Sequence, residues 1–217
     1  MQNDDLINIY LDKVLEANKI TNLTRISSLE EARVLHIEDS LVGLPELQEA
    51  PEGLYGDLGT GGGFPGVPLA IKTGRKTILV DSVQKKMGIV GSIIEEMDLT
   101  ESVLTYAGRI EDLSNEYPEA FAVLTARALA KISVLMELSS PLLKKGGVLI
   151  CYKANVQDDE WTHALSLQKK LGMKLISDRH LYLSDGETQR RIICFKKVSR
   201  AAIPLPRRMG LAQKKPL

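Results

Sequence analysis

The chain has 217 residues, with 28 Lys and Arg against 28 Asp and Glu and 44% apolar side chains. This length and apolar content allow one domain of roughly 150 to 200 residues plus short extensions, and they exclude a disordered chain. Formal neutrality excludes a uniformly basic nucleic-acid coat protein, but it averages two unlike parts. Glu187 is the last acid and nine basic side chains follow it, so a body of net −9 carries a C-terminal stretch of +9. Cys151 and Cys194 lie in apolar segments without CxxC or paired His spacing, so neither a disulfide framework nor a metal site is expected. The start MQNDD is acidic and no apolar run nears the ~18 residues of a membrane span, which points to a cytoplasmic protein.

Leu6, Ile9, Tyr10, Val14 and Ala17 recur at helical spacing and predict an amphipathic first helix over 4–17. Ser28 followed by Glu31 forms a capping-box pattern that opens a second helix over 29–42, with Val34, Ile37 and Leu41 inward. From Gly53 the pattern becomes short apolar strands (LYGDLG, KTILVD, SVLTY, FAVLTA, GVLICYK) alternating with helices near 65–72, 83–97, 131–143 and 157–171. Such alternation predicts crossover units and a parallel sheet covered on both faces. Two further strands, 174–183 and 190–198, flank the turn signal Ser184-Asp185-Gly186, so the sheet should end in an antiparallel pair. Prolines 204, 206 and 216 and Gly210 break periodicity beyond Val198, which predicts an extended or mobile tail. The expected division is a helical extension at 1–52, an α/β domain at 53–198 and a basic tail at 199–217.

The glycine-rich segment Asp57-Leu-Gly59-Thr60-Gly61-Gly62-Gly63-Phe64-Pro65-Gly66-Val67-Pro68 follows the first strand and opens the next helix. Glycines there allow close backbone approach and positive φ, and prolines suit a helix's first turn, so a ligand is expected on this turn. Gly61, Gly63 and Gly66 satisfy the dinucleotide pattern GxGxxG, which keeps a nicotinamide-dependent oxidoreductase as an alternative. The other register puts Asp57 at the strand end, where it suits the ammonium group of S-adenosylmethionine and offers nothing to a pyrophosphate. Asp81, ending the second strand, suits a ribose diol in either reading.

The segment DLGTGGGFPGVPLAI resembles the cofactor loop of the bacterial small-subunit ribosomal RNA methyltransferase G family, also called glucose-inhibited division protein B. Further motifs match in order: NKITNLT (18–24), HIEDSL (36–41), LVDSVQKK (79–86), GRIEDL (108–113), TARALA (125–130), DGETQRRI (185–192) and PRRMGLAQKKPL (206–217). The resemblance implies a class I S-adenosylmethionine-dependent methyltransferase, Rossmann-like with a seven-stranded, mostly parallel sheet. Its implied activity is methylation of N7 of a guanosine in 16S rRNA of the small ribosomal subunit. Carried over, Gly59 and Phe64 line the cofactor, Ile110 and Glu111 flank its adenine, and Arg127 contacts it near the reaction centre. Gly62, Ala126 and Ala154 depart from the residues common in relatives, the last two beside Arg127 and Lys153.

Guanine N7 carries a lone pair and no proton, so its methylation requires no general base. Proximity should dominate, with nearby carboxylates favouring the cationic product. His36 and Asp39 share a helix face, and with Asn22 and Thr24 they form a candidate border of the guanine pocket; pinning of the helix to the sheet is the competing role. Arg127 and Lys153 follow strands on the edge where open α/β sheets bind ligands, and Lys153 is read as a phosphate contact. In the tail, Arg207, Arg208, Lys214 and Lys215 are the candidate RNA-backbone contacts. A ribosome-assembly factor that binds RNA without methylating it is a further alternative. Nothing demands more than a monomer.

Overall fold

The computed structural model describes residues 2–26 and 28–217; Met1 and Ser27 lie outside them. Its centre is a seven-stranded sheet in the order β3-β2-β1-β4-β5-β7-β6. The parallel strands are β1 (Tyr55–Leu58), β2 (Thr77–Asp81), β3 (Val103–Ala107), β4 (Phe121–Arg127) and β5 (Leu143–Lys153). β6 (Met173–Tyr182) and β7 (Gln189–Lys197) close the sheet as the expected antiparallel pair, with β7 against β5. Between them Asp185 accepts hydrogen bonds from Glu187 N, Thr188 N and Thr188 Oγ1, and Gly186 takes φ +70°, so the Ser-Asp-Gly turn signal reads correctly.

Neighbouring residues along a strand face opposite sides, and the two faces bury different clusters. Leu58, Val80, Leu124 and Ala126 join α7 (Ile110–Glu116), α8 (Ile132–Ser139), α9 (Asp158–Ser166) and α10 (Gln168–Leu171) on one face. On the other, Leu79 and Val103 meet α1 (Asn3–Thr21), α5 (Gly66–Thr73) and α6 (Gln84–Glu96), while Tyr55 and Val123 meet Leu47 of α4 (Leu44–Glu49). Cys151 and Cys194 are buried, unpaired packing residues of neighbouring strands. Trp161 packs against the first cluster, with the Arg191 guanidinium 4.1 Å from its ring centroid.

The second predicted helix is built in three pieces. Ser28 caps α2 (Leu29–Ala32) by accepting from Glu31 N at 3.2 Å, a π-helical turn spans Arg33–Glu38, and α3 (Asp39–Leu41) resumes α-geometry. A π-turn inserts residues into the ladder and re-aims the side chains that follow, a device common at functional sites. Here it carries His36 and precedes Asp39.

The tail is a correction to the sequence expectation, because residues 203–217 fold back on the body. Ile203, Leu205 and Leu217 pack on the first cluster, Ala212 of α11 (Leu211–Lys214) is 3% exposed, and the Leu217 carbonyl lies 2.6 Å from His163 Nε2. Broken periodicity signalled irregular backbone correctly, but irregular backbone can still bury apolar side chains.

Candidate functional site: two pockets at the carboxyl edge of the sheet

The strand order reverses between β1 and β4, and the carboxyl ends of β1, β2 and β4 converge there, the place where open α/β sheets bind ligands. A narrow cleft at this point is lined by Gly59, Asp81, Ile110, Glu111 and Leu129 among others. Asp81 Oδ2 accepts the Gly61 amide at 3.0 Å and Oδ1 accepts Val83 N at 2.9 Å, so its carboxylate is oriented by backbone at the cleft's edge. Gly61 has φ +59° and nothing within 4 Å of where a Cβ would stand, leaving its surface open to a ligand. An oriented carboxylate for a sugar diol, an open glycine and the apolar Ile110 and Leu129 fit an adenosyl group.

The rest of the glycine loop serves packing, which corrects several expectations. Asp57 is fully buried (0% exposed): Thr125 Oγ1 donates to its Oδ1 at 2.7 Å and Gly66 N to its Oδ2 at 3.0 Å. Burial pushes its carboxyl above the usual range, and its hydrogen bonds brace the two ends of the loop where an ammonium-holding group was expected. Thr60 closes the turn, its N–H donating to Val80 O and its carbonyl accepting from Gly63 N and Phe64 N. Gly63 has φ +86°, and a Cβ there would lie 2.0 Å from Tyr10 Oη. That hydroxyl donates to Gly62 O at 2.9 Å, tethering α1 to the loop. The Phe64 ring is 4% exposed and points away from the cleft; it stacks on His36 at 4.4 Å between centroids and meets Tyr10 edge-on at 5.5 Å. With Gly63 backed by Tyr10, and Gly66 by Leu79 and Asp57, two of the three glycines of the dinucleotide register are required by packing, and that register loses its support.

A second, wider pocket lies on the other side of the end of β4, lined by His36, Asp39, Arg127, Tyr152, Lys153 and Arg190 among others. Its centre is a three-residue ionic cluster. Asp39, 1% exposed, accepts from Arg127 Nη1 at 2.7 Å and from Arg190 Nε and Nη2 at 2.7 and 3.1 Å, and Arg127 also donates to Leu35 O in the π-helical turn. Ala128, at φ +53°, is a non-glycine residue in the left-handed region. The turn it makes sends Arg127 into this pocket and Leu129 into the narrow cleft, and such strained backbone gathers at functional positions.

His36 lines this pocket and also holds the helix in place: Nε2 lies 2.8 Å from Thr24 Oγ1 and the ring stacks on Phe64. Burial, reinforced by the Arg127 guanidinium, lowers its pKa to about 4. The unfolded chain, with an ordinary His pKa near 6.5, takes up a proton between pH 6.5 and 4 that the folded protein does not. The resulting stability is complete above about pH 6.5 and is lost as pH falls toward 4. Urea unfolding should show His36→Gln losing about 2 kcal/mol less than the parent chain between pH 7.5 and 4.5; equal losses would contradict a neutral, buried His36.

Two other expected residues do not take the assigned parts. Lys153 Nζ is 2.9 Å from Glu160 Oε1 and donates to Ala130 O at 3.1 Å, so it is internally paired and is not a free phosphate contact. Asn22 is exposed and ends α1 in the left-handed conformation (φ 49°), and it does not line the pocket, though Thr24 reaches it through His36. The carboxylates expected beside a cationic product are also absent as free groups, since Asp39 is balanced by two arginines and Glu160 by Lys153. Arg190, read in the sequence only as part of the basic stretch, is a pocket residue.

In the tail, Arg207 makes a bidentate pair with Glu137, at 2.6 Å for both contacts, and is a structural tie where a free RNA contact was expected. Arg208, Lys214 and Lys215 are exposed and have no carboxylate partner among the described residues. Glu111 borders the cleft as expected, with one oxygen accepting Gly210 N at 2.7 Å. No helix is long and apolar enough to cross a membrane, and the described residues hold no cluster of three metal-ligating side chains.

Sheet order and cleft define the class I S-adenosylmethionine-dependent methyltransferase fold. An O-methyltransferase from Bacillus cereus in complex with SAH aligns with a TM-score of 0.59 at 20% identity, over 87% of this chain and 90% of that one. A geranyl diphosphate methyltransferase in complex with SAM gives 0.60 at 13%, over 74% and 85%. By sequence, residues 3–191 match the family described as rRNA small subunit methyltransferase G. Proteins named ribosomal RNA small subunit methyltransferase G are 37% identical over 213 residues in Desulfitobacterium hafniense (96% of this chain, 87% of the relative). In Lactobacillus acidophilus identity is 35% over 214 residues (96% and 89%), and in Fervidobacterium nodosum 32% over 219 residues, the whole of both chains. The chain belongs to the rRNA small subunit methyltransferase G family.

Proposed function

We propose that this protein transfers the methyl group of S-adenosylmethionine to N7 of a guanosine in 16S rRNA of the small ribosomal subunit, acting in the cytoplasm as a monomer. The observation that carries this reading is the pair of pockets sharing the end of β4: the adenosyl cleft on the Leu129 side and the Asp39–Arg127–Arg190 pocket on the other. The cofactor supplies an electrophilic methyl on a cationic sulfur. The N7 lone pair forms the new N–C bond as the C–S bond breaks, its electrons return to sulfur, and the positive charge passes to the purine. No proton moves, so no side chain has to act as a base. A neutral His36 and a charge-balanced Asp39 are consistent with a pocket that works by holding the base in line. Two guanidiniums against one carboxylate leave the pocket net positive, which suits the phosphates that flank an everted nucleotide.

The chain residues for the cofactor are Asp81 for the ribose diol, Ile110 and Glu111 beside the adenine, and Gly59 and Gly61 for close approach. Titration calorimetry should give binding of S-adenosylmethionine and none of NAD; binding of NAD alone would refute the assignment. Arg208, Lys214 and Lys215 are the phosphate contacts that remain free in the tail. Replacing all three by Ala should reduce the slope of log affinity for 16S rRNA against log salt by about 2, and an unchanged slope would remove the tail from the RNA interface.

A further inference from the structure

The returning tail reaches the cofactor cleft itself. Gly210 and Gln213 line it together with Gly59 and Asp81. Their position is fixed twice: the Glu111 carboxylate accepts Gly210 N at 2.7 Å, and the Arg207–Glu137 pair, with Arg207 Nη2 also donating to Lys215 O at 2.9 Å, anchors both ends of α11 to α8. Gln213 is exposed and makes no hydrogen bond to the rest of the described chain, so no internal contact accounts for it. We propose that the C-terminal segment is a wall of the adenine subsite, with Gln213 as a residue that binds the adenine edge. This inference rests on the assignment of the cleft to S-adenosylmethionine.

The edge of adenine presents an amino donor beside a ring-nitrogen acceptor, and a carboxamide presents the matching acceptor and donor from one planar group. A 6-oxo purine reverses that edge, and a free carboxamide meets it by turning over, so Gln213 adds affinity for the purine edge without choosing between the two. Glu111 cannot supply this alone, because a carboxylate only accepts and one of its oxygens is taken by Gly210. Gln213 stands away from the second pocket, so its contact is the same before and during methyl transfer.

The test is calorimetry of the full chain with S-adenosylhomocysteine, together with steady-state methyl transfer. Gln213→Ala and Gln213→Glu should each weaken S-adenosylhomocysteine about 3- to 10-fold, raise KM for S-adenosylmethionine with kcat unchanged, and leave Tm in place. Wild-type affinity in both variants would overturn the proposal while leaving the cofactor assignment intact. Failure of the parent chain to bind S-adenosylhomocysteine would overturn both.

Discussion

Asp39→Asn is expected to lower the unfolding free energy by about 3–5 kcal/mol and to cut methyl transfer by about 100-fold or more. Asp39 is 1% exposed and is the only acid paired with Arg127 and Arg190 among the described residues. Removing one partner of a buried ionic cluster leaves the others uncompensated, at a cost of about 3–5 kcal/mol. An amide keeps the shape but turns donors toward two guanidiniums, so Arg127 and Arg190 lose their common anchor, and misplacement of about 1 Å in a site that works by proximity costs about 100-fold. Urea denaturation and a methyl-transfer assay read the two effects separately. Near-normal turnover in a folded Asp39→Asn protein would show that this cluster does not shape the substrate pocket.

The second large effect falls on the glycine loop. Gly63→Ala combines a φ of +86° with a Cβ 2.0 Å from Tyr10 Oη, so helix α1 and the loop can no longer both hold their places. Overpacking of a close-packed contact costs about 1–3 kcal/mol, to which the left-handed backbone adds about 1 kcal/mol. Melting temperature should fall by several degrees and S-adenosylmethionine affinity with it. Tyr10→Phe removes the clashing oxygen and, in the same chain as Gly63→Ala, should restore part of the loss even though alone it sacrifices the hydrogen bond to Gly62 O. Strict additivity of the two substitutions would contradict the contact.

Much of the architecture was legible because parallel strands buried on both faces read as continuous apolar runs, and the Ser-Asp-Gly turn marked the antiparallel end. The π-helical turn was not legible, since His36 and Asp39 keep the same spacing in either helix and only the backbone ladder changes. The glycine loop marks the turn at the cleft, but sequence does not say which side of the strand a residue near it faces: both Asp57 and Phe64 are buried, the one on Thr125 and Gly66 N and the other on His36. The tail was misread for want of a long-range signal. Glu137, the one charge in the apolar run ISVLMELSS, was that signal, because a buried carboxylate demands a cation and the chain supplies it 70 residues later. Arg190 and Arg191 were counted together as basic residues, yet neighbouring strand positions face opposite sides: one binds Asp39 in the pocket, the other Asp178 and the Trp161 ring. Three bases of the +9 stretch, Arg190, Arg191 and Arg207, pair closely with internal acids, Lys197 is buried against Ser140, Arg200 reaches Glu119 at 3.7 Å, and Lys196, Arg208, Lys214 and Lys215 are exposed without a carboxylate partner among the described residues.

The central claim is that two pockets sharing the end of β4 bring S-adenosylmethionine to N7 of a guanosine in 16S rRNA. Its most direct test is to incubate the protein with methyl-labelled S-adenosylmethionine and small ribosomal subunits lacking the modification, then digest the 16S rRNA and locate the label. The expected product is N7-methylguanosine at a single position, reduced about 100-fold or more by Asp39→Asn. Label on another atom or base, or none despite bound cofactor, would contradict it.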